Sequence, residues 1–220
     1  MKKIMPVLIL MLCFVANSAF ANTNGTAHTS PFHTIHVAGN VKVILEQGTH
    51  EEVDFLTDMH GTNVKFRDGI LKIKRLKLTK LDETVKVRVT YKTLRAIKAS
   101  SGAILRSENV IMAEHFNIDA STGAEISAQV SLTTLHTSAS EGAVISLSGQ
   151  TDTQNARAVT GGEIEAYDLE CNYTYARAGT GGSVEVVANK RIEAKTSLGG
   201  DVDYRGNPRE TSLELEEEDY

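Results

Sequence analysis

Basic and acidic side chains recur in this sequence at fixed distances from a repeated glycine. Four positions before Gly161, Gly181 and Gly199 stand Arg157, Arg177 and Lys195, and four positions after stand Glu165, Glu185 and Asp203. Two positions after them stand Glu163, Ser183 and Asp201. Tyr167, Tyr173, Tyr175 and Tyr204 fall in the same stretch. A file of cations suits an acidic glycan. A file of carboxylates suits a divalent cation such as calcium, which takes about six to eight oxygen ligands, although a flat file offers charge without enclosure. Tyrosines such as Tyr173 and Tyr175 offer faces to a sugar ring or anchors to a protein partner, or pack against outside corners. Both charged files equally serve as solvated faces that keep a β protein soluble and its edges unpaired.

The elements that position these residues are written in the repeat. Six segments align on Gly102, Gly123, Gly142, Gly161, Gly181 and Gly199, which are 21, 19, 19, 20 and 18 residues apart. Three positions before each stands Ala99, Ala120, Ala139, Ala158, Ala178 or Thr196. One position after stands Ala or Gly, and three after stands Leu105, Ile126, Ile145, Ile164, Val184 or Val202. A period near 20 with β-type residues and no helical stripe predicts a parallel β-solenoid, one coil per repeat. Equivalent residues then stack about 4.8 Å apart, so six coils make a rod about 29 Å long. Alanine fits a cramped inward column, and glycine fits a corner with an unusual backbone angle or a close chain approach. Stacked like charges about 5 Å apart repel by about 0.8 kcal/mol in bulk water. Such files therefore require counter-ions, opposing columns or a ligand.

Upstream, residues 32–92 read as an N-terminal β region or cap. Ile35 and Val37, Val41, Val43 and Leu45, and Val85, Val87 and Val89 alternate with polar residues in the period-2 pattern of half-buried strands. Val64, Phe66, Asp68-Gly69, Leu71 and Ile73 predict a hairpin, because Asp-Gly supplies the positive φ angles of a primed turn. Residues 93–208 hold the coils. Residues 209–220 read as a cap for the last coil followed by an acidic tail, and 22–31 as a flexible linker.

The first 21 residues have the layout of a secretory signal peptide. Lys2 and Lys3 precede an apolar run from Val7 to Val15, and Ser18-Ala19-Phe20-Ala21 supplies small residues for a cut after Ala21. The expected product is exported: periplasmic, attached at the outer surface or secreted, with no transmembrane segment in the mature chain. A formal charge of −5 over 220 residues argues against nucleic acid as partner. With 41% hydrophobic residues but only 5% aromatic, the core has to be built from small and β-branched side chains.

Little else points to chemistry. Cys171 stands alone in the mature chain and reads as a small buried hydrophobe. The histidines are scattered, and His33 and His36, three apart on a strand, point to opposite faces. The Gly-Gly pairs belong to the repeat and open no phosphate-binding helix. No catalytic residue, metal site or cofactor is expected.

The recurring Ala-Ser-x-Gly-Ala-x-Ile unit, the opening Phe32 to Val37 with Gly39 and Val41-Lys-Val-Ile-Leu-Glu-Gln-Gly48, and the closing Asp201-Val-Asp-Tyr-Arg-Gly206-Asn-Pro208 together resemble an exported bacterial family, the putative auto-transporter adhesins with a head GIN domain. The resemblance covers roughly residues 32–208. It implies a right-handed parallel β-helix behind an N-terminal β region, and it brings no established catalytic residues. The sequence holds no C-terminal membrane-barrel segment and is not expected to be a complete autotransporter.

Three functions fit. The first is a non-catalytic, adhesin-like or envelope-binding module whose partner is a cell-surface protein or glycan. Its binding strip is Arg157, Arg177, Lys195, Glu165, Glu185, Asp203, Tyr173 and Tyr175. The second is a polysaccharide lyase or hydrolase using carboxylates among Glu163, Glu165, Glu185 and Asp203 with Arg157 or Arg177. Tight repeats leave almost no inserted loop to build its cleft. The third is a purely structural envelope component.

Overall fold

The computed structural model describes residues 26–28, 30–75 and 84–216. The expected signal peptide lies outside these residues. The described residues form an all-β solenoid without helix. Inward positions alternate with outward ones along each strand, and the core is a column of Ile, Val, Leu and Ala side chains between two ladders.

Each coil turns at the predicted corner. The marker glycines have φ between 68° and 76°, and the residue before each, such as Thr160 or Thr180, is also left-handed, with φ between 49° and 57°. A turn bond closes the corner, for example from the Gly162 N–H to the Val159 carbonyl at 3.0 Å. The ladder entering the corner is in unbroken register: Ala99, Ala120, Ala139, Ala158, Ala178 and Thr196 pair in succession. The ladder leaving the corner files Leu105, Ile126, Ile145, Ile164, Val184 and Val202 in the same way. Long strands, Glu125–Ser140, Val144–Val159 and Glu163–Gly179, run from one ladder into the next without interruption. The unequal repeat spacing is absorbed locally. The extra residue of the 161–181 coil appears as a register shift after Ser146, beside Tyr167.

The region expected to precede the coils is part of the stack. Thr34–Ala38 pairs in parallel with both Ile70–Arg75 and Ala96–Ser100, and Val41–Gln47 pairs in parallel with both Val85–Tyr91 and Ile104–Ser107. Two coils therefore come from 32–92, and the later of them in sequence stacks outermost. Their inward residues, Ile35, Val37, Val41 and Val43, continue the columns of Ile97, Ala99, Ala103 and Leu105. The hairpin forms as expected, with Thr62–Arg67 antiparallel to Ile70–Arg75 and left-handed Asp68 and Gly69 at its turn. It covers one edge of the outermost coil, and antiparallel Glu52–Phe55 covers the other. Thr26–His28, inside the expected linker, is a short strand against Glu52–Asp54.

The other end differs from the expected cap. Glu210–Glu216 pairs in parallel with Arg191–Ser197 and extends the ladder by one strand, placing Leu213 and Leu215 on the columns of Ala194 and Thr196. These leucines remain 61% and 78% exposed, so among the described residues the strand lengthens the solenoid without covering its end.

Candidate functional site

The two charged files form as stacking requires, but on different ladders separated by the corner. Arg157, Arg177 and Lys195 are in register on the ladder entering the corner. Glu165, Glu185 and Asp203 are in register on the ladder leaving it. They are two surfaces, not one strip.

The cationic file stands beside a file of small or short residues. Val159, Gly179 and Ser197 occupy the last outward positions before the corner, and with Arg157, Arg177 and Lys195 they line a groove of about 230 Å³. Lys195 Nζ is 2.5 Å from Glu214 Oε2 of the terminal strand. Among the described residues, Arg157 and Arg177 enter no salt bridge. Two neighbouring guanidinium groups, each rigid, planar and able to grip a carboxylate or sulfate with two N–H bonds, thus face solvent over a shallow floor. Tyr175 is two residues before Arg177 on the same strand and so on the same face. Tyr173 lies farther back, with Lys190 Nζ 5.3 Å from its ring centre.

Two of the three carboxylates of the acidic file are engaged by the protein's own groups. Ser146 Oγ donates to Glu165 Oε2 at 2.7 Å. The Tyr167 hydroxyl donates to Asp203 Oδ2 at 2.7 Å, reaching across the coil that carries Glu185. Arg205 lies over the Tyr167 ring, 3.8 Å from its centre. Desolvation, the bond to Asp203 and the charge of Glu185 push the Tyr167 hydroxyl up to about 12, against a smaller opposing pull from Arg205. Among the described residues no group of three or more His, Cys, Asp or Glu side chains, Glu165, Glu185 and Asp203 included, is placed to hold a metal ion. A flat file with strand spacing cannot converge six oxygens on one point. Cys171 is buried, with its thiol against the Tyr173 carbonyl at 3.3 Å, and burial pushes its pKa up, away from nucleophilic use.

His36 and Lys72, which extend the column beyond Lys98, escaped the sequence reading. The outward column that holds Arg157 continues back through Ser138, Asp119 and Lys98 to His36 and Lys72. The signal was present: Ile35-His-Val-Ala-Gly-Asn-Val-Lys-Val43 matches Ile97-Lys-Ala-Ser-Ser-Gly-Ala-Ile-Leu105 at every inward position, with the glycine one place earlier.

The family model described as "Putative auto-transporter adhesin, head GIN domain" matches residues 31–208. No curated protein matches the chain. Among solved structures, a putative adhesin from Bacteroides fragilis NCTC 9343 superposes with a TM-score of 0.80 at 18% identity, covering 87% of this chain and 92% of its own. A putative adhesin from Parabacteroides merdae ATCC 43184 gives 0.66 at 17% identity, covering 88% and 95%. A putative lipid binding protein from Parabacteroides distasonis ATCC 8503 gives 0.62 at 15% identity, covering 87% and 92%. At these identities the likeness is one of fold.

Proposed function

Because the chain belongs to the family described as "Putative auto-transporter adhesin, head GIN domain", we propose that it is an exported, non-catalytic adhesin-like module that binds an acidic glycan of the cell envelope or of a neighbouring cell through Arg157, Arg177 and Lys195. The observation that carries this reading is the pair Arg157 and Arg177. They are adjacent in register, exposed, without salt bridges among the described residues, and set over a groove with a glycine in its floor. A structural role explains them poorly, since like charges at strand spacing destabilise the sheet they stand on. An acidic polymer lying along the solenoid axis meets a cation at each of these three coils, and its carboxylates or sulfates supply the missing counter-charge. Tyr175 offers an aromatic edge to the same chain.

The acidic file supports the reading by contrast. Glu165 and Asp203 are already hydrogen-bonded by Ser146 and Tyr167, the arrangement of a solvated structural face rather than of a paired acid and base. The test is an array of acidic and neutral glycans, together with whole cells and envelope fractions, probed with the purified protein. Salt-sensitive retention on acidic glycans is expected, and failure to bind any of these surfaces would remove the proposal.

A further inference from the structure

A groove of about 400 Å³ lies at the opposite end of the same face, over the coils contributed by 34–38, 70–75, 96–100 and 111–121. Its floor is a file of small outward residues, Ala38, Ser100, Ser121 and Ser140, closed at the far end by Lys74, which pairs with Ala38. Its wall is the file Lys72, His36, Lys98 and Asp119. Lys98 Nζ is 2.7 Å from Asp119 Oδ2. Lys72 and Lys74 enter no salt bridge among the described residues. Three lysines and a histidine thus face one carboxylate across a few strands. Serine hydroxyls stand ready below to donate to an anion.

The two grooves adjoin. Ser138 and Ser140, which line the first, pair with Arg157 and Val159, which line the second. The eight strands from Ile70–Arg75 to Arg191–Ser197 put Lys72 about 34 Å from Lys195 at strand spacing.

We propose that the Lys72–His36–Lys98 groove is a second anion-binding site, which holds a carboxylate or sulfate of the same acidic polysaccharide chain that lies on Arg157 and Arg177. This inference rests on the reading given above for the arginine file. The chain runs along the solenoid axis with its acidic groups in the two cation clusters and a neutral span across Ser138. Two linked sites raise the affinity of a chain long enough to span both beyond that of a short one. His36 reports on occupancy. Its ordinary titration is held down by desolvation and then by Lys98 and Lys72, with Asp119 opposing. An anion among the lysines cancels their repulsion and lifts it.

The test uses the mature protein with oligogalacturonate of two lengths, short and long, and follows the His36 ring resonance by NMR. Expected are a shift of His36 on titration and an upward move of its pKa. Long-chain binding is expected to be about tenfold or more weaker in Lys72→Gln/Lys98→Gln, the scale of two lost charge-assisted contacts. Both lysines are on the surface, and an unchanged circular dichroism spectrum and melting curve verify the fold. A silent His36 resonance, or long-chain affinity unchanged in that variant, overturns the second site. Loss of binding only in Arg157→Gln/Arg177→Gln then leaves the arginine reading standing. Conversely, loss only in the lysine variant keeps the groove and removes the arginine reading. Lysine-dependent capture by phosphatidylglycerol vesicles with no response to the oligosaccharide overturns the polysaccharide assignment.

Discussion

Gly162 lies against the backbone of Ala139 in the preceding coil: a β-carbon on Gly162 would stand 2.4 Å from both the carbonyl carbon and the carbonyl oxygen of Ala139. Its neighbour Gly161 has nothing within 4 Å of the same position but has φ at +70°. The Gly-Gly corner therefore joins two separate requirements, conformation at the first residue and space at the second. Gly182 and Gly200 repeat the close approach against Ala158 and Ala178.

These requirements predict different costs. Gly161→Ala should lose about 1 kcal/mol, the left-handed penalty partly offset by reduced freedom of the unfolded chain. Gly162→Ala forces a backbone shift between coils and should lose about 3 kcal/mol or fail to fold. Denaturant midpoints of the two variants check the order. Equal losses would refute the division of roles.

Gln154 is fully buried in the column between Leu135 and Thr174, and neither its amide nitrogen nor its amide oxygen has a hydrogen-bond partner in the structure. Leaving such a group unpaired costs about 1–3 kcal/mol. Gln154→Leu keeps most of the volume and should raise stability by about 1 kcal/mol or more. Thermal or urea unfolding measures it.

Tyr167 should ionise late, near pH 12. Because its folded-state pKa is raised above the ordinary value of about 10, its contribution to stability is fully present below pH 10. That contribution is lost as pH rises from 10 through 12. An alkaline titration of tyrosinate absorbance, compared with Tyr167→Phe, isolates the late step. A Tyr167 step near pH 10 would break the proposed tie to Asp203.

The cationic file sets binding against stability. Arg177 stands between Arg157 and Lys195, so Arg177→Gln should leave stability unchanged or raise it by up to about 0.5 kcal/mol at low salt. The same change should weaken retention on acidic glycans. A clear loss of stability would mean that the file holds the fold together.

The solenoid was legible because stacking demands the same residue at the same place in each coil, and Ala99 to Ala178 meet that demand by small size alone. The same logic placed Arg157, Arg177 and Lys195 in one file. Three things were hidden. Coils whose corner glycine is displaced, as at Gly39-Asn40, do not align on the marker, so His36 and Lys72 were not joined to the column of Lys98 and the arginines. The corner's geometry, which sends the residues before and after it to different faces, is a tertiary fact, and it separated two files that sequence spacing presents as one strip. Tyr167 follows a register shift that a one-residue difference in spacing announces but does not locate.

The most direct measurement is calorimetric titration of long oligogalacturonate into the wild-type protein and into Arg157→Gln/Arg177→Gln/Lys195→Gln, at low and at physiological salt. The wild type should bind, more weakly as salt screens the contact, and the triple variant should keep its fold and lose binding by a large factor. A folded triple variant that binds as tightly as the wild type would show that the cations along this face are not where the glycan lies.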